Sequence, residues 1–110
     1  MRSETIARNY AEALFDLGVR GGRAQEYAEL MDAVAHGIAA APKVQAVLMS
    51  PRITKGKKSA LLAAALAGAP REFVLFLQAV VKRGRQGLFG EIARELALHR
   101  DAPLIQLGRL

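Results

Sequence analysis

The stretch Pro70 to Arg83, PREFVLFLQAVVKR, decides how this chain folds. Read at about 100° per residue, Phe73, Leu77, Val80 and Val81 form one stripe, flanked by Val74 and Phe76, the pattern of a helix anchored in a core. Leu75 and Ala79 then fall among Arg71, Glu72, Gln78 and Lys82, on the side that a surface helix keeps polar. Leaving Leu75 and half of Phe76 in water forgoes on the order of 1.5–3 kcal/mol each. Either more of the chain covers them or a partner does.

Working outward, glycine and proline cut the chain into six helical segments with short connections. Ser3 is placed to cap the first helix, which runs to about Val19 and stops at Gly21 and Gly22. The second spans about Arg23 to Ala40, with Tyr27, Met31, Val34, Ala35 and Ile38 along its buried stripe. Pro42 opens a short third helix through Met49. Ser50 and Pro51 break the pattern, and Thr54 caps a fourth that ends near Ala67 with Gly68 as its stop. Pro70 starts the fifth, and Gly84 and Gly87 turn the chain into a sixth along Leu88, Phe89, Ile92, Ala93 and Leu96. Apolar content comes mainly from Ala and Leu, and β-branched residues are scattered, so helix is favoured over strand. The expected fold is all-α, a compact six-helix bundle over residues 1–101 of the 110, with an atypical tail at 102–110 where Pro103 disfavours helix at Ala102.

The first helix repeats the imbalance of the fifth. Ile6, Ala7, Tyr10, Ala11, Ala13, Leu14 and Leu17 cover an arc of roughly 160°, wider than the ~100° that one-sided burial needs. If the two helices are adjacent, their surplus apolar surface makes a groove suited to an amphipathic helix from elsewhere. Packing of each between two neighbours of the same bundle accounts for the pattern equally well.

Composition bounds the chemistry. There is no cysteine, which excludes disulfides and thiolate metal sites. The N-terminus reads as an amphipathic helix rather than a signal peptide, and the longest apolar run, Ala60 to Pro70, is far short of the roughly 20 residues that span a bilayer. The formal net charge is +6, and residues 42–110 carry it with twelve basic against four acidic residues. Two basic clusters stand out, Arg52, Lys55, Lys57 and Lys58, and Lys82, Arg83 and Arg85. They are the footprint of a polyanion-binding surface or of a solvated basic face. Tyr10, Tyr27, Phe73, Phe76 and Phe89 all lie on apolar stripes, not beside these clusters as base-stacking platforms. A basic helical RNA-binding module of the antitermination type is the alternative reading, and the preferred one involves no nucleic acid.

Gly56, Lys57, Lys58 and Ser59 match only the end of a phosphate-binding loop, since Pro51 stands where its first glycine belongs and no strand precedes it. Glu91, Glu95 and His99 share one face of the sixth helix, but a metal site there needs a second ligand set from other helices. Ser3, Ser50 and Ser59 have no paired His and acid. The chain is read as having no catalytic set, no metal site and no cofactor.

Residues 7–17, ARNYAEALFDL, resemble the opening helix of the δ subunit of bacterial rotary ATP synthase, the counterpart of the mitochondrial oligomycin sensitivity-conferring protein. The resemblance continues in order over residues 4–101. Pro42 to Val44 resemble the start of its third helix. Leu48, Ser50, Pro51, Ile53 and Lys58 resemble its L-x-S-P-x-I and lysine signature. Phe73, Leu77, Gly84 and Arg85 resemble its F-x-x-x-L helix and Gly-Arg turn.

The resemblance implies the six-helix N-terminal domain of that subunit, a non-catalytic stator connector in ATP synthesis and hydrogen ion transport. It implies that the N-terminal helix of an α subunit lies in a groove between the first and fifth helices. One wall would be Tyr10, Ala13, Leu14 and Leu17, the other Leu75, Phe76 and Ala79 with Lys82 at the rim. It also implies a peripheral position on the cytoplasmic face of the bacterial inner membrane, held there through the complex. Arg83 and Lys82 depart from the family's usual Asn and acidic residue, which makes the rim more positive. The family's C-terminal domain, which meets the b subunits of the peripheral stalk, is not recognisable here, so this chain is expected to bind the head without bridging it to the stalk.

Overall fold

A computed structural model describes the backbone of residues 2–107 and the side chains of residues 2–99. Among the described residues the chain is all-α, as expected, with six α-helices and no strand. They are α1 (Ser3–Gly21), α2 (Ala24–Ala39), α3 (Pro42–Met49), α4 (Lys55–Ala65), α5 (Arg71–Lys82) and α6 (Phe89–Leu107), with a 3₁₀ turn at Gln86–Leu88 leading into α6.

The helix ends follow from local chemistry at most of the expected places. Gly22 adopts φ 70° and closes α1, with the Arg23 amide donating to the Gly18 carbonyl at 2.6 Å and the Gly22 amide to Val19 at 3.2 Å. Gly84 does the same for α5 at φ 71°, with the Arg85 amide on Val80 at 3.0 Å and the Gly84 amide on Val81 at 2.8 Å. Both are paired 6→1 and 5→2 closures that need a left-handed residue, which glycine supplies without a Cβ penalty. Pro42 sits in the first turn of α3, where its missing N–H costs no helical bond. Thr54 Oγ1 accepts the Lys57 amide at 3.2 Å and caps α4. Thr54→Ala is expected to cost about 1 kcal/mol and Thr54→Ser almost nothing, read from the midpoint of denaturant unfolding.

Four ends differ from expectation: α4 closes at Ala65 with Leu66 at its C-cap, short of Ala67 and Gly68, and Pro70 stands at the N-cap of α5 instead of opening it. Ser3 lies inside α1, and Arg2 occupies the N-cap position without a side-chain bond. Helix α6 runs through Pro103 to Leu107 rather than stopping before Ala102. Proline removes one i→i−4 bond locally, whereas a helix already more than three turns long gains a further bond with each residue it adds.

The chain divides into two units, one formed by the residues up to His36 together with those from Leu88 onward, the other by Gly37–Gly87. In the first, α1 packs along α6. Ala7, Ala11 and Leu14 of α1, Tyr27, Ala28 and Met31 of α2, and Phe89, Ile92, Ala93 and Leu96 of α6 are buried. Small Ala7 and Ala11 at i, i+4 spacing let a neighbouring backbone come close. The chain's path from α1 into α2 depends on Gly18. A Cβ there would stand 2.8 Å from Ala24 Cα and 3.2 Å from a Tyr27 ring carbon, both fixed atoms. A Cβ on Gly21, three residues on, would meet nothing within 4 Å. Gly18→Ala is therefore expected to lower the unfolding midpoint, roughly 1–3 kcal/mol of overpacking exceeding the ~1 kcal/mol that alanine gains in a helix. Gly21→Ala leaves the midpoint unchanged or raises it.

In the second unit α4 packs on α5. Leu48, Leu62, Phe73, Leu77, Val80 and Val81 are buried, so the four-residue stripe read from the 70–83 stretch is the core face of α5. Gln78 Nε2 donates to the Ser59 carbonyl at 3.1 Å and Gln86 Nε2 to the Leu48 carbonyl at 2.7 Å. These side chains tie α5 to α4, and the turn before α6 to the end of α3.

Candidate functional site

On α5 the surplus apolar surface is real. Leu75 is 49% exposed, and Ala79 and Lys82 are exposed too. Their i, i+4, i+7 spacing puts them on one line along the helix, opposite a face of fully buried Phe73, Leu77, Val80 and Val81. Phe76 lies at the border, half-buried. The end of this surface is electropositive. Lys55 Nζ donates to the Lys82 carbonyl at 3.1 Å, placing a cation at the C-terminus of α5, where the helix dipole is negative. Lys82, Arg83 and Arg85 follow within the next turn.

On α1 the expected residues divide by depth. Ala13 is exposed, Tyr10 and Leu17 are half-buried, and Leu14 is fully buried. Leu14 thus holds α1 in its unit and offers no accessible area to a partner, while Tyr10, Ala13 and Leu17 present a shallow apolar strip at i, i+3, i+7. The strip is smooth because its centre is an alanine, as Ala79 is on α5. Small residues at the centre of a helix face let another helix backbone approach closely, and bulkier neighbours supply the contact area.

The other candidate groups are used structurally. Glu95 faces Arg8 of α1 across 3.5 Å. The His99 ring stacks on Phe15 with centroids 5.5 Å apart. Two of the three side chains of the sixth-helix set, Glu95 and His99, therefore link α6 to α1, and among the described residues no group of three His, Asp or Glu is placed to hold a metal ion. Gly56 to Ser59 form the first turns of α4 beneath the Thr54 cap.

Three placements were not legible in sequence. Lys58, grouped with the solvated basic residues, is only 5% exposed, and Ser59 beside it is buried. Gln78, assigned to the wet side of α5, is half-buried against α4. Leu61 and Leu98 were not singled out, yet both are exposed. Leu61 is the one with a signal: it follows Ala60 in an apolar run that a single buried stripe cannot absorb.

Comparison with known proteins bears on what these surfaces are for. A family model described as ATP synthase delta (OSCP) subunit matches residues 6–102. The chain is 40% identical over 103 residues to the ATP synthase subunit delta of Gemmatimonas aurantiaca, covering 93% of this chain and 56% of that protein. It is 38% identical over 94 residues to the subunit of the same name from Burkholderia lata, covering 83% and 51%. With that of Myxococcus xanthus it shares 32% identity over 114 residues, covering 100% and 61%. The chain spans about half the length of the curated relatives it matches.

Proposed function

The chain belongs to the ATP synthase delta (OSCP) subunit family, and from that premise we propose that it is the part of a stator connector that grips the catalytic head of a rotary ATP synthase. Its partner is the N-terminal helix of an α subunit. The apolar strip of α1, centred on Ala13 with Tyr10 and Leu17, and that of α5, Leu75, Phe76 and Ala79 with Lys82 at the end, are the surfaces that helix covers. Leu14 supports the first strip from beneath.

The observation that carries this reading is the exposure of Leu75 and Ala79 on a helix whose opposite face is fully buried. An amphipathic helix laid on such a strip recovers the apolar area left in water, and side chains at i, i+3, i+4 and i+7 anchor it. The role is mechanical. Rotor torque acts on the head, and a helix docked through its whole apolar face leaves slowly, because differences among related complexes are expressed mostly in the off-rate. The chain's own residues perform no chemistry on ATP. No helix among the described residues is long and apolar enough to cross a membrane, and its position at the membrane is peripheral, held through the complex.

The RNA-binding alternative has less support. Tyr27, Phe73 and Phe89 are buried, and Tyr10, Phe15 and Phe76 are half-buried, so no fully exposed ring is offered for bases to stack on. A titration separates the two. A synthetic α-subunit N-terminal helix is expected to bind 1:1 with little change between low and high salt. Structured RNA binding tightly, with affinity falling steeply as salt rises, would overturn the connector reading.

A further inference from the structure

Within the Gly37–Gly87 unit, α3 and α4 enclose an open slot of about 250 Å³. Val44 and Val47 of α3 and Leu61, Leu62 and Ala65 of α4 line it, and Lys43 is the one charged residue in its wall. Val44 is 45% exposed and Leu61 50%, so the slot is an accessible apolar surface and not a sealed void. It belongs to neither helix strip described above.

Charge says what would cover it. Between Asp32 and Glu72 there is no acidic residue at all, while Lys43, Arg52, Lys55, Lys57, Lys58 and Arg71 fall in that interval. The Gly37–Gly87 unit as a whole carries nine basic residues and one acidic, a net charge of +8. Such a charge excess, against the single carboxylate of Glu72, favours encounter with acidic surfaces and repels basic ones. We propose that the α3–α4 slot is a second docking site, for an acidic amphipathic helix of a partner protein. Its leucine-sized side chains enter between Val44 and Leu61, and its carboxylates face the exposed Lys43 and Lys57, the latter one turn before Leu61 on α4.

The shape selects a helix over the two other anionic ligands. The slot is smaller than the roughly 300–1,000 Å³ typical of small-molecule sites, and it suits side-chain knobs. A membrane surface presents anionic headgroups but no knob to fill a concave slot between two helices. The site goes beyond the α-subunit reading and does not depend on it.

The test uses the whole chain and a synthetic helix of Leu, Ala and Glu, about 18 residues long so that it is helical in isolation, with Leu at i, i+3, i+4 and i+7. The controls are the same peptide with Lys for Glu, and vesicles containing phosphatidylserine. The acidic peptide is expected to bind at least about tenfold more tightly than its basic counterpart. It should lose about tenfold with Leu61→Asp or, independently, with Val44→Asp, each on an exposed side chain that folding does not need buried. It stays bound to Ala79→Asp, which disables only the α5 strip, so this site and the α-subunit site fail separately. Affinity unchanged in both slot variants, equal binding of the basic peptide, loss in Ala79→Asp, or binding of vesicles without the acidic peptide would each overturn the proposal.

Discussion

Replacing Ala79 by aspartate is expected to abolish binding of an α-subunit N-terminal helix while leaving the helicity of the chain intact. Ala79 is exposed and lies on one line with Leu75 and Lys82, so the new carboxylate projects into water in the free protein. The folded state loses only the helix-propensity difference between Ala and Asp, at most about 0.7 kcal/mol. In the complex the same carboxylate is taken out of water beneath an apolar helix face, and Lys82 at i+3, at the end of the strip, offsets only part of that cost. Desolvating the charge costs several kcal/mol, and every 1.4 kcal/mol is tenfold in affinity, so the loss is on the order of a hundredfold. Calorimetry of the variant with the peptide, alongside circular dichroism, reads both halves of the expectation. Unchanged affinity would remove α5 from the binding surface.

The largest effect on stability falls on the opposite face of the same helix. Phe73 is fully buried and among the largest side chains so placed. Phe73→Ala removes its transfer free energy and leaves a cavity that the surrounding α4 and α5 side chains fill only in part, a loss of about 3–5 kcal/mol. Domains of this size are stable by only 5–15 kcal/mol or so, and the thermal midpoint should drop by roughly 15–30 °C. Leu75→Ala, two residues away on the exposed line, should move it by no more than a degree or two while weakening the partner helix. The contrast between positions 73 and 75 separates the core face from the docking face within one helix, a distinction an average over the segment would hide.

Much of this division could be read in the sequence because it depends on local rules. The stripe at Phe73, Leu77, Val80 and Val81 is buried as its period requires, and the caps at Thr54, Gly22 and Gly84 each need only a few neighbouring residues. Leu75 and Ala79 stood out because two apolar residues interrupt a polar face. The misread features depend on which helix comes to lie against which. Gly18 reads as an ordinary weak helix former until Ala24 is seen to pass within van der Waals distance. Lys58 looks solvated until the residue is seen to be buried in the fold. Leu14 shares the apolar arc of Tyr10 and Leu17, and only packing shows that it points fully inward. The run through Pro103 has a different cause: proline's local effect disfavours helix there, and the turns already built ahead of it carry the helix on.

The two docking surfaces differ in what they ask of a partner. The α1 and α5 strips are centred on alanines and want close backbone approach with an apolar face. The α3–α4 slot is concave, with Lys43 in its wall and a net positive unit around it, and wants acidic flanks around a bulky knob. Salt should therefore weaken the second far more than the first.

An amide-resolved NMR titration of the chain with a synthetic α-subunit N-terminal helix tests the central claim most directly. The account predicts saturation at one peptide per chain, with the largest shifts at Tyr10, Ala13 and Leu17 of α1 and at Leu75, Ala79 and Lys82 of α5, and small ones at Val44 and Leu61. Shifts confined to α3 and α4, or no saturable shift at all, would contradict it.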